Sequence, residues 1–229
     1  MIIKDNETYP FPLEITLKPY VRSKSIHITR DKVVMVTVPP FIGEEGAYRF
    51  VDSKMDWIMS HLPRIPDRIV YKYEDGEIHY FLGKPYPVYF INGKKNEFSF
   101  GGKEIHITMT ARTKNRKALY ERLMKEELKE VILKLAKKWA RTMDLWNFSF
   151  TIRKLKSRWG SCNTALREFT FALDLVTKPE EEIESVVVHE MNHLLEGSHN
   201  YRFYTLMEQW LPDYRKRRKK LNELPREFM

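Results

Sequence analysis

The chain has 229 residues, 42 % hydrophobic and 31 % charged, with a formal net charge of +9. That length allows a sizeable core, and the composition excludes a disordered or fibrous chain. No apolar run approaches the ~20 residues needed to cross a bilayer, and Cys162, the only cysteine, excludes an internal disulfide.

The start, MIIKDNETYPF, carries an early acid and no long apolar stretch, so no secretory signal is expected. With a single cysteine, the expected compartment is a reducing one, the cytoplasm. Residues 13–38 then read as strands: LEITL, RSKSIHIT and KVVMVTV alternate apolar and polar positions. Pro39-Pro40 ends the run. From Gly43 to Leu62 the period changes, with Ala47, Phe50, Val51, Met55, Ile58 and Leu62 at three- and four-residue steps, the mark of one amphipathic helix. After Pro63 and Pro66 strands return as RIVYKY, EIHYFLG, YPVYFIN, EFSF and KEIHITM, with hairpin turns expected at Asn92-Gly93 and Gly101-Gly102. Residues 1–110 thus form an expected N-terminal, mainly antiparallel β subdomain with one helix.

The second half, 111–229, is of mixed α and β character, making the whole an α+β protein. Residues 115–143 predict a long helix with Leu119, Leu123, Leu128, Ile132, Leu135 and Trp139 on one side. NFSFTIRKL, SRWGSC and REFTFALDLV read as strands, the last two joined through Asn163-Thr164. Thr177 is the expected cap of the next helix, with Pro179 in its first turn and Glu180 three residues on. Another helix is expected from about Asn200 to Trp210, interrupted by Pro212. No internal repeat is evident.

The positive charge is local. Arg215, Lys216, Arg217, Arg218, Lys219 and Lys220 supply six cations; without them Lys+Arg falls from 40 to 34 against 31 acids, leaving +3. Such a run is either a solvated helix or a contact for nucleic acid or nucleotide.

The helix opened near Pro179 carries VVVHEMNHLLEGSH. His189 and His193 lie four apart, one above the other on one helix face, and two such imidazoles can close on one Zn2+ at roughly 2.0–2.1 Å. Glu190, too far round to ligate comfortably, can reach water on that metal as a general base. A third ligand is needed. Gly197 is expected to stop the helix through a left-handed turn and bring His199 back to the metal. Glu208 on the following helix is the alternative third ligand. Glu196, Glu208 and Asp174 are candidates to accept the second N–H of a ligand histidine. Tyr201 or Tyr204 is a candidate to hydrogen-bond an oxyanion.

VVVHEMNHLLEGSHNYRFY resembles the signature of the YgjP-like metallopeptidase family, whose members are described as metal-dependent hydrolases. SRWGSC, residues 157–162, is similar to that family's second hallmark. RSKSIHITRDKVVMVTVPP followed by VDSKMDWI resembles its N-terminal part. The resemblance implies a zincin-like C-terminal catalytic subdomain, one Zn2+ per chain on His189, His193 and His199, and Glu190 as base. The spacing is also similar to that of SprT-like proteases, which act on proteins crosslinked to DNA. Where the family often has Phe-Trp after the third histidine, this chain has Phe203-Tyr204, expected to pack beneath the metal.

In zincins an edge strand pairs with extended substrate. Trp159, Gly160 and Ser161 are the candidate substrate-binding residues: Gly160 lets a second backbone come close, and Trp159 either lines the cleft or belongs to the core. Cys162 is expected to be a small buried residue. Arg153, Lys154 and Arg158 face either an anionic substrate or solvent. The function expected is a zinc-dependent hydrolase cleaving peptide bonds in a peptide or protein. The alternatives are a metal-dependent nucleotide triphosphate pyrophosphatase and a nucleic-acid-associated module recruited by the basic run.

Overall fold

Alternation along Leu13–Leu17 and Val34–Val38 sends Leu13, Ile15, Val34, Val36 and Val38 to one buried face. In the computed structural model, which describes residues 2–29, 31–65, 71–155, 157–221 and 228, these are β2 and β4 of a four-stranded sheet. With β1 (Ile2–Asp5) and β3 (Ser25–Ile28) the order is β1-β2-β4-β3. The outer pairs are antiparallel and β2–β4 is parallel. This sheet and helices α1 (Gly43–Asp52) and α2 (Met55–His61) form one compact unit, Met1–Ile69, cored by the strand residues with Ala47, Val51 and Ile58.

The single helix expected over Gly43–Leu62 is therefore two. Ser53 breaks it: its hydroxyl donates to the Phe50 carbonyl at 2.8 Å, and Lys54 leaves helical geometry at φ −114°, ψ 8°.

The second unit, Val70–Met229, opens with a sheet of the same plan. β5 (Glu77–Phe81), β6 (Lys84–Asn92), β7 (Glu97–Phe100) and β8 (Ile105–Met109) lie in the order β5-β6-β8-β7, again with one central parallel pair. The repeat that the sequence hides is thus one of topology. Asn92-Gly93 is no hairpin turn, because β6 pairs with β8 instead of with the next strand. Gly101-Gly102 is one, joining β7 to β8 with Gly102 at φ 81°. Of the expected strand RIVYKY, residues 68–70 lie outside the described residues. Lys72 and Tyr73 are not strand: their N–H groups donate to the Glu77 carboxylate at 2.9 and 2.6 Å.

Val88, Phe90, Ile105 and Ile107 share a core with the long helix α3 (Arg116–Met143), so β5–β8 belong to the same unit as the histidines. Asn115 caps α3 by accepting from Ala118 N–H at 2.9 Å. A third sheet follows, in order β10-β11-β9. β9 (Ser149–Arg153) is parallel to β11 (Glu168–Ala172), and β10 (Gly160–Asn163) runs antiparallel along the edge.

Helix α4 (Glu180–Asn192) is buried along most of its length, from Glu182 to Val188 and again at Glu190–Asn192. Thr177 does not cap it. Its hydroxyl closes the preceding 3-10 turn on the Asp174 carbonyl at 2.8 Å, and Pro179 stands at the cap position. Helices α5 (Tyr201–Trp210) and α6 (Tyr214–Lys220) complete the unit. Glu184, 9 % exposed on α4, gathers Lys138 and Trp139 from α3 and Arg217 from α6 at 2.7, 3.0 and 2.7 Å, tying three helices together. The architecture is α+β. Among the described residues no helix is long and apolar enough to cross a membrane.

Candidate metal centre

His189 sits on the last turn of α4 and His193 at its C-terminal cap, where Val187, Val188 and Met191 are fully buried and fix the helix's roll. Their rings lie 5.0 Å apart. The chain then turns and brings back His199, whose Nε2 approaches that of His189 to 3.0 Å. One ligand nitrogen from each of His189, His193 and His199 lies within 4.8 Å of the other two. Phe203 forms the floor, with its ring 4.9, 4.8 and 4.8 Å from those of His189, His193 and His199.

Gly197 does not make the turn. Its φ is not positive, and a Cβ placed there meets nothing. Side chains make it instead. The helix ends at Asn192, whose buried amide donates to the Phe203 carbonyl at 3.2 Å. Glu196 N–H still donates to the Asn192 carbonyl at 2.9 Å. The Glu196 carboxylate then accepts from Ser198 N–H and Oγ–H at 3.2 and 3.0 Å. Asn200 caps α5 by accepting from Phe203 N–H at 3.0 Å, so the residue after His199 is locked to the floor.

The partners of the histidine rings also differ from expectation. Nδ1 of His189 lies 2.8 Å from the Tyr214 hydroxyl of α6, and Nδ1 of His193 lies 3.3 Å from the Glu196 main-chain oxygen. The three carboxylates expected in these places are engaged elsewhere: Glu196 with Ser198, Glu208 with Arg215 Nε at 2.6 Å, and Asp174 with Phe228 N–H at 2.8 Å. Glu208 therefore stands outside the cluster. Tyr214 has no signature in the sequence, since it lies 25 residues beyond its partner.

Burial, then the neighbouring His193, His199 and Arg218, pull the His189 pKa down to about 3. His193 is lowered too, first by burial and then by His199. Both shifts favour the neutral imidazole, the form that can ligate a metal. Three imidazoles of this kind suit a divalent transition ion. Two nitrogens bound tetrahedrally to one such ion stand roughly 3.3 Å apart, close to the 3.0 Å between the two Nε2 atoms. The residues fit the metal.

Glu190 is 5 % exposed, and burial pushes its carboxyl up to about 8 against the pull of Arg158. It lies against Gly160. A Cβ built there would stand 2.6 Å from Oε1 and 2.7 Å from Cγ of Glu190. Ala172 N–H donates to the Trp159 carbonyl at 2.8 Å, which makes Trp159 and Ala172 a hydrogen-bonded pair. By the alternation of antiparallel ladders, Ser161 also pairs with β11, while the main-chain groups of Gly160 and Cys162 turn to the open edge. Trp159 is half-buried against the core, under the ammonium of Lys178 at 5.0 Å. Cys162 is half-buried, with its thiol raised to about 11 by burial and the nearby Glu190.

Other candidates lie apart from this cluster. Lys154 pairs with Glu121 at 2.6 Å, and Tyr201 is 88 % exposed. The basic run is α6, where Arg215 pairs with Glu208 and Arg217 with Glu184 and Asp213.

A family model described as "YgjP-like, metallopeptidase domain" matches residues 22–224. No curated protein matches the chain. Among solved structures, the metallopeptidase zymogen abylysin of Pyrococcus abyssi is similar with 18 % identity and a TM-score of 0.38, covering 43 % of this chain and 99 % of that one.

Proposed function

Because the chain belongs to the YgjP-like metallopeptidase family, and so is a metal-dependent hydrolase, we propose that it is a zinc peptidase with His189, His193 and His199 as ligands and Glu190 as general base. One observation carries this reading: three imidazole nitrogens grouped within 4.8 Å, beside a buried carboxylate. Zinc is the ion favoured by an all-imidazole donor set, with a position left for water. When bound, it supplies a Lewis acid that acidifies water and polarises a carbonyl.

The chain's own residues do the rest. A carboxyl held up to about 8 by burial is a stronger base than an exposed one. Glu190 takes a proton from the attacking water and passes it to the leaving amine. An extended peptide adds to the free edge of β10, hydrogen-bonding to Gly160 and Cys162. Gly160 leaves room for the Glu190 carboxylate at the point where that peptide passes. Trp159 and Ser161 hold the strand in place from the side of β11, with Ser161 contributing through the ladder and not through free main-chain groups.

The test is Glu190→Gln, assayed with an unstructured protein and with nucleotide triphosphates, alongside elemental analysis. The expected result is one zinc per chain in both proteins and proteolysis only in the wild type. Zinc bound without the three histidines, or proteolysis unaffected by the substitution, would refute the assignment. Nucleotide hydrolysis dependent on Glu190 would favour the pyrophosphatase alternative. Two cations of the basic run are already held in ion pairs, which leaves less of it for a nucleotide or nucleic acid.

A further inference from the structure

His189 offers Nε2 to a cation only as the tautomer with its proton on Nδ1. That proton is then donated to the Tyr214 hydroxyl oxygen, 2.8 Å away. The same oxygen faces the guanidinium of Arg218, which also lies against the Tyr204 hydroxyl. A guanidinium is a donor only. Two donors therefore converge on the Tyr214 oxygen, and its own proton has to point elsewhere. Tyr204 is constrained in the same way by Arg218. Among the described residues no carbonyl or carboxylate accepts from either hydroxyl.

Both tyrosines line a cavity of about 300 Å³, together with Arg215 and Arg218. It adjoins the metal centre: the Tyr204 ring stacks on that of His199 with centroids 6.3 Å apart. Arg215 is neutralised by Glu208 and Arg217 by Glu184 and Asp213. Arg218 faces no carboxylate among the described residues, so the cavity carries its net positive charge. With His189 set for a metal, the lining residues bring a guanidinium fork and two tyrosines whose O–H groups find no acceptor among the described residues. That set matches a carboxylate.

We propose that this cavity is a carboxylate-binding subsite, which selects peptides carrying an acidic group near the cleaved bond and is coupled to the metal through Tyr214 and His189. The proposal rests on the peptidase reading above. The coupling has a direction: the metal fixes Nδ1–H on His189, which frees the Tyr214 proton for the carboxylate. By linkage, the carboxylate strengthens metal binding by the same factor.

The test uses the full chain as Glu190→Gln, zinc-loaded, with fluorescein-labelled peptides read by anisotropy. One peptide pair differs by glutamate or glutamine at an interior position, the other by a free or amidated C-terminus. The expected result is that the acidic member of one pair binds about tenfold tighter, and the pair that responds identifies the source of the carboxylate. Adding Arg218→Gln collapses the preference to within twofold, and Arg218→Lys, which keeps charge but loses the fork, restores part of it. In a chelator competition, the acidic peptide also raises zinc affinity, and Tyr214→Phe abolishes that rise. Zinc-loaded protein binding acidic and neutral members equally would overturn the subsite and leave the peptidase reading standing. A chain that binds no zinc would overturn both.

Discussion

Gly160 and Glu190 are packed so closely that a single methyl group on the glycine would stand 2.6 Å from the carboxylate oxygen. No side chain fits between β10 and the last turn of α4 unless Glu190 moves. Gly160→Ala is therefore expected to leave the fold and zinc content unchanged, because its φ is ordinary for any residue. Proteolysis should fall about 100-fold, the usual effect of displacing a reacting group by an ångström. Steady-state kinetics with parallel elemental analysis would check this; unchanged turnover would count against Glu190 as the base.

Tyr214 holds the ring of His189 from behind. In Tyr214→Phe the Nδ1 proton loses its acceptor, and zinc affinity should drop about 10- to 100-fold, as when other outer partners of metal ligands are removed. Competition with a chromophoric chelator measures it. An unaltered affinity would show that burial alone orients the ring.

The turn that returns His199 distinguishes two substitutions. Gly197→Ala places its methyl in open space on an unstrained backbone, so zinc binding and thermal stability should match the wild type. Asn200→Ala removes the cap of α5 and should cost about 1 kcal/mol in urea unfolding, with weaker zinc binding as well. The reverse pattern would restore the glycine to the role its position in the sequence suggests.

Glu184 gives the fold an acid limit. Burial alone would raise its pKa, but hydrogen bonds from Lys138, Arg217 and Trp139 bring it below the ordinary carboxylate value. A carboxylate lowered in the folded state contributes its full share of stability above its unfolded pKa. That share disappears as pH falls through the lowered folded value. Glu184→Gln is expected to cost about 2 kcal/mol at pH 7, since it removes the charge that Lys138, Trp139 and Arg217 all bond to, although Arg217 keeps Asp213. The gap between the two proteins should narrow as pH drops below about 4.5, near the free carboxyl value. Urea midpoints at pH 7 and pH 4 would show it; a constant gap would remove Glu184's charge from the account.

The long helix α3 was legible because eleven of its residues are buried on a regular period and Asn115 marks its start. The pair His189 and His193 was legible because helical spacing dictates proximity. What escaped the sequence depends on residues that meet only in space. Gly197 looks like a stop, yet Glu196, Ser198 and Asn200 build the turn through short-range hydrogen bonds that composition does not advertise. Asn92-Gly93 has hairpin chemistry, but β6 finds a better neighbour in β8, two strands on. Tyr214 supports His189 from a helix that reads as nothing more than a run of positive charge. Ser53 splits one amphipathic period into two helices without disturbing the period itself.

The two four-stranded sheets follow one plan, and that plan orders their assembly. In each, the outer strands close as hairpins between neighbours in the chain, while the central pair joins strands separated by a whole intervening strand. Nearby contacts form first, because closing a longer loop costs more chain entropy. Each sheet should therefore mature from its rims inward, with β2–β4 and β6–β8 zipping last. The amides that bond β2 to β4 and β6 to β8 would gain protection from solvent exchange late in refolding, in both units and in the same sequence of events.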